Sequence, residues 1–209
     1  MRALLLDLDG TLTSTALLHK EAWEIALKEL GIRVDVDLNL LMGRKTLDIA
    51  KVLGGERYLE LYELKNSIYE SLVPKKANPL PCSRELVEKA REKGYKVSVI
   101  TSSLRRSARV ALNVVGIKPD LLVAGDDLPK GKPDPFPVLY ALSILGCQAR
   151  ESVGVGDTLY DFQAYSGAGL GRIFLVRGEL NLELSEAKGQ GAIVVNDLCE
   201  VINSLDLDR

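Results

Sequence analysis

Two aspartates two residues apart, Asp7 and Asp9, close an apolar run from Ala3 to Leu6, and Gly10 and Thr11 follow at once. Like charges this close in a partly dry site raise each other's pKa, so the pair asks for a metal ion, a shared proton, or both. Gly10 permits a tight turn and close approach to a ligand, and Thr11 adds a hydroxyl and an amide at the same rim. Taken alone, the two aspartates also fit solvated turn formers, because Asp and Gly are ordinary strand-end residues.

Three further groups resemble this one in their setting. Thr101, Ser102 and Ser103 follow the apolar stretch Lys96 to Ile100 and offer hydroxyls at a helix start, an anion site that simple N-capping would also explain. Lys132 stands between Gly131 and Pro133, and a lysine held so stiffly suits a fixed phosphate or carboxylate partner. Asp157 and Asp161 follow the stretch Ser152 to Gly156, four residues apart at a helix start, where they meet on one face. Capping accounts for Asp157 and not for Asp161. Four carboxylates, a hydroxyl site and a lysine together suit phosphoryl transfer through a covalent aspartyl-phosphate.

Such a cluster forms only if the elements bring it together. Residues 15–78 carry three helical patterns and no strand: Trp23, Ala26, Leu27 and Leu30 before Gly31; Ile49, Val52 and Leu53 before Gly54; Leu61, Leu64, Ile68 and Leu72 before Pro74. From Asn78-Pro79-Leu80-Pro81 onward, helices alternate with strands at Lys96 to Ile100, Leu121 to Ala124, Ser152 to Gly156, Arg172 to Val176 and Ala192 to Val195, and Leu198 to Leu205 gives a closing helix. This predicts an α/β fold, a Rossmann-like doubly wound parallel sheet formed by residues 1–14 and 79–209, with residues 15–78 as an inserted helical unit. Ligands then gather at the carboxyl ends of the strands.

Composition narrows the function. The 209 residues are 46% hydrophobic with a formal net charge of -2, which supports a sizeable core and disfavours a nucleic-acid surface. No apolar run is long enough for a membrane span and no signal-peptide layout follows Met1, so a cytoplasmic protein is expected. Cys82, Cys147 and Cys199 lack metal-site or disulfide spacing and are expected as buried thiols.

The segments Asp7-Leu8-Asp9-Gly10-Thr11-Leu12, Thr101-Ser102, Gly131-Lys132-Pro133-Asp134-Pro135 and Gly156-Asp157 with Asp161 resemble, in order and spacing, the four motifs of the haloacid dehalogenase superfamily. The helical insert is similar to the small cap of its phosphoglycolate phosphatase and β-phosphoglucomutase branch. The resemblance implies Asp7 as nucleophile and Asp9 as acid and then base. It implies Mg2+ held by Asp7, the Asp9 carbonyl and Asp157, with Asp161 in or beside the ligand set. Thr101, Ser102 and Lys132 would bind the phosphoryl group of a small phosphorylated metabolite. A carboxylate at Asp9 disfavours dehalogenation, and Ser14 stands where related sequences often carry Asp. His19 resembles a mutase histidine that faces the site, and Arg44 and Lys45 lie where the cap presents substrate-choosing residues. The leading expectation is a magnesium-dependent phosphatase. A sugar-phosphate mutase is the alternative, and a phospho-accepting signalling module is less in keeping with the insert.

Overall fold

The computed structural model describes residues 1–206. Six parallel strands form one sheet: β1 (Ala3–Leu6), β2 (Lys96–Ile100), β3 (Leu121–Val123), β4 (Val153–Gly156), β5 (Arg172–Val176) and β6 (Ile193–Val195). Their order is β3-β2-β1-β4-β5-β6, so β1 is central, with Leu4 opposite Val97 and Val153 and Leu6 opposite Val99 and Val155. All four β1 residues are fully buried, the consequence of helices on both faces. Alternate residues serve opposite faces: Leu4 and Leu6 join one core with Val97, Val99 and Val155, and Ala3 and Leu5 join another with Ile100, Val138 and Phe162.

The first face is covered by α4 (Ser83–Glu92), α5 (Arg105–Val115) and α9 (Leu198–Asp206), the second by α6 (Phe136–Leu145), α7 (Leu159–Gly167) and the short α8 (Ser185–Gly189). The sequence reading contains no α8. Five residues are too few for helical periodicity to register.

Along the chain, α1 (Ala16–Glu29), α2 (Thr46–Gly54) and α3 (Tyr58–Lys76) are inserted after β1 and before α4 and β2. They enclose a cluster of their own around Trp23, Leu27, Ile49, Leu53 and Leu61, while Leu18, Ala22, Tyr69 and Val73 pack into the first sheet core. The strands leading in and out are paired: Ser14 N–H donates to the Asn78 carbonyl and Leu80 N–H to that of Leu12. Helix α3 does not stop before Pro74 as the sequence suggests. It runs through to Lys76, and Ala77 N–H still reaches the Val73 carbonyl, so the missing proline donor costs one bond and not the last turn.

The cysteines also differ from expectation. Cys82 and Cys199 form a disulfide and only Cys147 is free. The two lie 117 residues apart, and only the packing of α9 against α4 makes them neighbours.

Candidate active site

The strand ends carry the predicted groups to one place. Asp7 continues from β1, Thr101 from β2 and Asp157 from β4, and Lys132 reaches in from the loop between β3 and α6. Lys132 is buried, with Nζ 2.8 Å from Asp7 Oδ1, 2.6 Å from Asp161 Oδ1 and 3.0 Å from the Ile100 carbonyl. Burial opposes its charge, but the Asp161 and Asp7 carboxylates outweigh that and push its pKa up, so it is a fixed ammonium.

Asp7, Asp157 and Asp161 bring carboxylate oxygens within 4.8 Å of one another. Desolvation and the Asp161 charge raise Asp7 to about 6 against the pull of Lys132; desolvation, Asp7 and Asp161 push Asp157 well above the carboxylate range. Asp157 Oδ2 is buried without a hydrogen-bond partner, and its Oδ1 takes only a 3.3 Å contact from the Thr11 hydroxyl. An orphaned carboxylate oxygen among other anions is what a hard divalent cation would satisfy, and every donor here is oxygen. Gly10, at φ 81, must be glycine: a Cβ there would lie 2.3 Å from Asp157 Oδ2.

Asp161 departs from the sequence argument, which held capping unable to explain it. Thr158 is the N-cap of α7, and Asp161 completes a capping box by accepting from Thr158 N–H at 3.0 Å. Its Oδ2 also takes the Asp157 N–H, and Oδ1 takes Lys132. With both oxygens engaged, Asp161 steadies Lys132 and the loop of Asp157, leaving Asp7 and Asp157 as the carboxylates free to meet a cation.

Asp9 faces the other way, toward the insert. Its Oδ1 accepts from Thr15 Oγ1 at 2.5 Å and Tyr69 Oη at 2.9 Å and lies 3.1 Å from His19 Nε2; Oδ2 accepts from Ser103 Oγ at 2.6 Å and Thr101 Oγ1 at 3.3 Å. Burial would raise its pKa, but His19 and the hydrogen bonds from Ser103 and Thr15 hold it well below the usual carboxylate range. His19 itself is pushed down by desolvation and by Lys65, which keeps it neutral, so it serves Asp9 as a hydrogen-bond donor and not as a full charge.

Of the remaining predicted residues, His19 and Arg44 border the cavity between insert and sheet, whereas the Ser102 hydroxyl is used by the Gly43 carbonyl at 2.7 Å. Lys45 is not at the cavity. Its Nζ donates to the Leu128 carbonyl at 2.9 Å and its stem lies over Gly131, so it ties the insert to the loop that carries Lys132. The cavity holds about 50 Å³, and Asp7, Asp9 and Lys65 also border it.

The sequence reading missed Lys65, Tyr69, Thr15 and the role of Ser103. Lys65 is 1% exposed, 2.8 Å from His19 Nδ1 and 5.0 Å from the ring centres of Trp23 and Tyr69. A signal was present: Leu61, Lys65 and Tyr69 recur every four residues, which places a lysine on the apolar stripe of α3.

Comparison with known proteins gives a consistent picture. The family model described as haloacid dehalogenase-like hydrolase matches residues 4–175. A phosphoglycolate phosphatase of Aquifex aeolicus (strain VF5) is 34% identical over 177 residues, covering 81% of this chain and 82% of that protein. The pyrophosphatase PpaX of Bacillus velezensis is 31% identical over 175 residues, covering 80% and 79%. The crystal structure of a hydrolase from Pseudomonas syringae superposes with a TM-score of 0.85 at 25% identity, covering all of both chains.

Proposed function

The chain belongs to the haloacid dehalogenase-like hydrolases and is a phosphoric monoester hydrolase, and we propose that it is a magnesium-dependent phosphatase of small phosphorylated metabolites working through an aspartyl-phosphate at Asp7. The observation that carries this reading is the convergence of Asp7, Lys132 and an unpartnered Asp157 oxygen at adjacent strand ends. In it, residues 1–14 and 79–209 are the catalytic core and residues 15–78 a cap.

Magnesium bound by the Asp7 and Asp157 carboxylates and the Asp9 main-chain carbonyl would offset the negative charge that otherwise keeps a phosphate away. Lys132 holds Asp7 ionised and aimed, and with Thr101 would bind phosphoryl oxygens. An Asp7 oxygen attacks phosphorus, the bond from phosphorus to the leaving oxygen breaks, and that oxygen takes a proton from Asp9. Water then attacks the aspartyl-phosphate, Asp9 accepts its proton, and Asp7 is freed. The donors now around Asp9 favour its ionised form, the one needed for the second step. Tyr69, His19 and Thr15 belong to the insert and its entry, so their withdrawal when the cap opens would let Asp9 take up the proton that the first step consumes.

The small cavity between insert and sheet supports a small substrate. Phosphate release from a panel of phosphorylated metabolites, with magnesium and with excess chelator, tests the proposal; release that persists in chelator would overturn it. The histidine against Asp9 also favours the mutase alternative. A sugar 1-phosphate converted to its 6-phosphate would establish that reading, and free phosphate would exclude it.

A further inference from the structure

Three consecutive residues after β5 touch three parts of the site. Gly178 runs hard against the acidic cluster: a Cβ there would lie 2.9 Å from Asp157 Oδ2 and 3.3 Å from the Gly10 carbonyl. Glu179 places Oε2 3.1 Å from the main-chain nitrogen of Ala16, the first residue of α1, and its carboxylate also receives the Leu17 amide. Leu180 packs on the insert's own cluster and borders the cavity.

The first amides of a helix have no partner inside it and are normally served by the side chain of the N-cap residue. In α1 that residue is Thr15, which makes no capping bond because its hydroxyl is committed to Asp9 and Thr13. The first turn of α1 contains no acid either. The sheet side therefore caps the insert's helix in trans, and a carboxylate at that end is favoured by the helix dipole as well.

We propose that Glu179 is a positioning residue that latches the insert closed over the site. Its bonds to the α1 amides exist only while α1 lies on the loop after β5, and its neighbours Gly178 and Leu180 link that state to Asp157 and to the cavity. Rotation about the paired connectors at residues 12–15 and 78–80 would part them. The inference rests on the reading of residues 15–78 as a cap.

The test compares the full chain with Glu179→Ala and Glu179→Gln in magnesium, using p-nitrophenyl phosphate turnover, hydrogen exchange of the Ala16 and Leu17 amides, and thermal melting. A latch that only biases open against closed raises KM in Glu179→Ala by roughly two- to fivefold, the scale of a lost helix cap, and leaves kcat unchanged. The Ala16 and Leu17 amides exchange faster in Glu179→Ala while the sheet amides do not, and Glu179→Gln, which keeps an acceptor, falls between. Unaltered exchange at those two amides would overturn the proposal, as would faster exchange throughout the chain with a lowered kcat, which marks a merely structural role. Were the parent protein to release no phosphate, the phosphatase reading would fail while the two amides would still decide the latch.

Discussion

Lys65 Nζ stands 2.8 Å from His19 Nδ1, in a pocket where no carboxylate pairs with the lysine among the described residues. While Lys65 is protonated it can only donate, so Nδ1 accepts and the proton of a neutral His19 sits on Nε2, the atom facing Asp9 and Ser103. Burial pulls the Lys65 pKa down to about 7, against the raising effect of Asp9 and Glu70. Below that pH a costly buried cation thus fixes one histidine tautomer. Lys65→Met removes that cost and frees the ring: melting should rise by about 2–4 °C while kcat falls on the order of tenfold to a hundredfold. Equal kcat in the two proteins would contradict the role given to the pair.

The acidic cluster predicts a pH dependence whose sign is fixed. Asp7 rises from 3.8 to about 6 on folding, so between those values the folded state binds the more protons, and stability of the metal-free protein falls as pH rises through that window. Asp7→Asn should flatten this part of the melting profile and stabilise the metal-free protein above pH about 6, where added magnesium should stabilise the parent most. Melting temperatures across pH, with chelator and with magnesium, check both; a parent protein indifferent to magnesium above that pH would refute the cation site.

Arg44 is exposed at the cavity, 5.8 Å from the Tyr160 ring centre. A guanidinium so placed can grip a second anionic group of the substrate. Arg44→Ala should raise KM about tenfold for substrates with a carboxylate or a second phosphate and leave p-nitrophenyl phosphate unaffected. Parallel losses on both kinds of substrate would remove Arg44 from recognition.

The Cys82–Cys199 disulfide closes a 117-residue separation, which on chain entropy alone is worth about 4–5 kcal/mol. Cys199→Ser should therefore lower the melting temperature by about 10 °C without changing kcat, since both sulfurs lie where α4 meets α9 and neither touches a reacting group. An unchanged melting curve would mean the bond contributes nothing to the folded state.

These particulars show which parts of the molecule could be read from sequence. Strands such as Ala3–Leu6 and Lys96–Ile100 stand out because a fully buried parallel strand must be apolar throughout, and Asp7, Thr101, Lys132 and Asp157 follow from strand ends facing one crevice. What escaped depends on how the insert sits. Lys65, Tyr69 and Thr15 become partners of the site only through the docking of α1 and α3, and Glu179 acts on a helix 163 residues away. Asp161 is illegible in the sequence for another reason: local capping chemistry and the hold on Lys132 use the same carboxylate, and spacing cannot separate two uses of one group.

The central claim is that Asp7 carries the phosphoryl group and Asp9 governs its release. Mass spectrometry of acid-quenched protein after reaction with p-nitrophenyl phosphate and magnesium tests it directly. The account predicts a phosphoryl adduct on the peptide containing Asp7 that accumulates in Asp9→Asn and is absent, with all turnover, in Asp7→Asn. An adduct on any other residue, or undiminished phosphate release by Asp7→Asn, would contradict it.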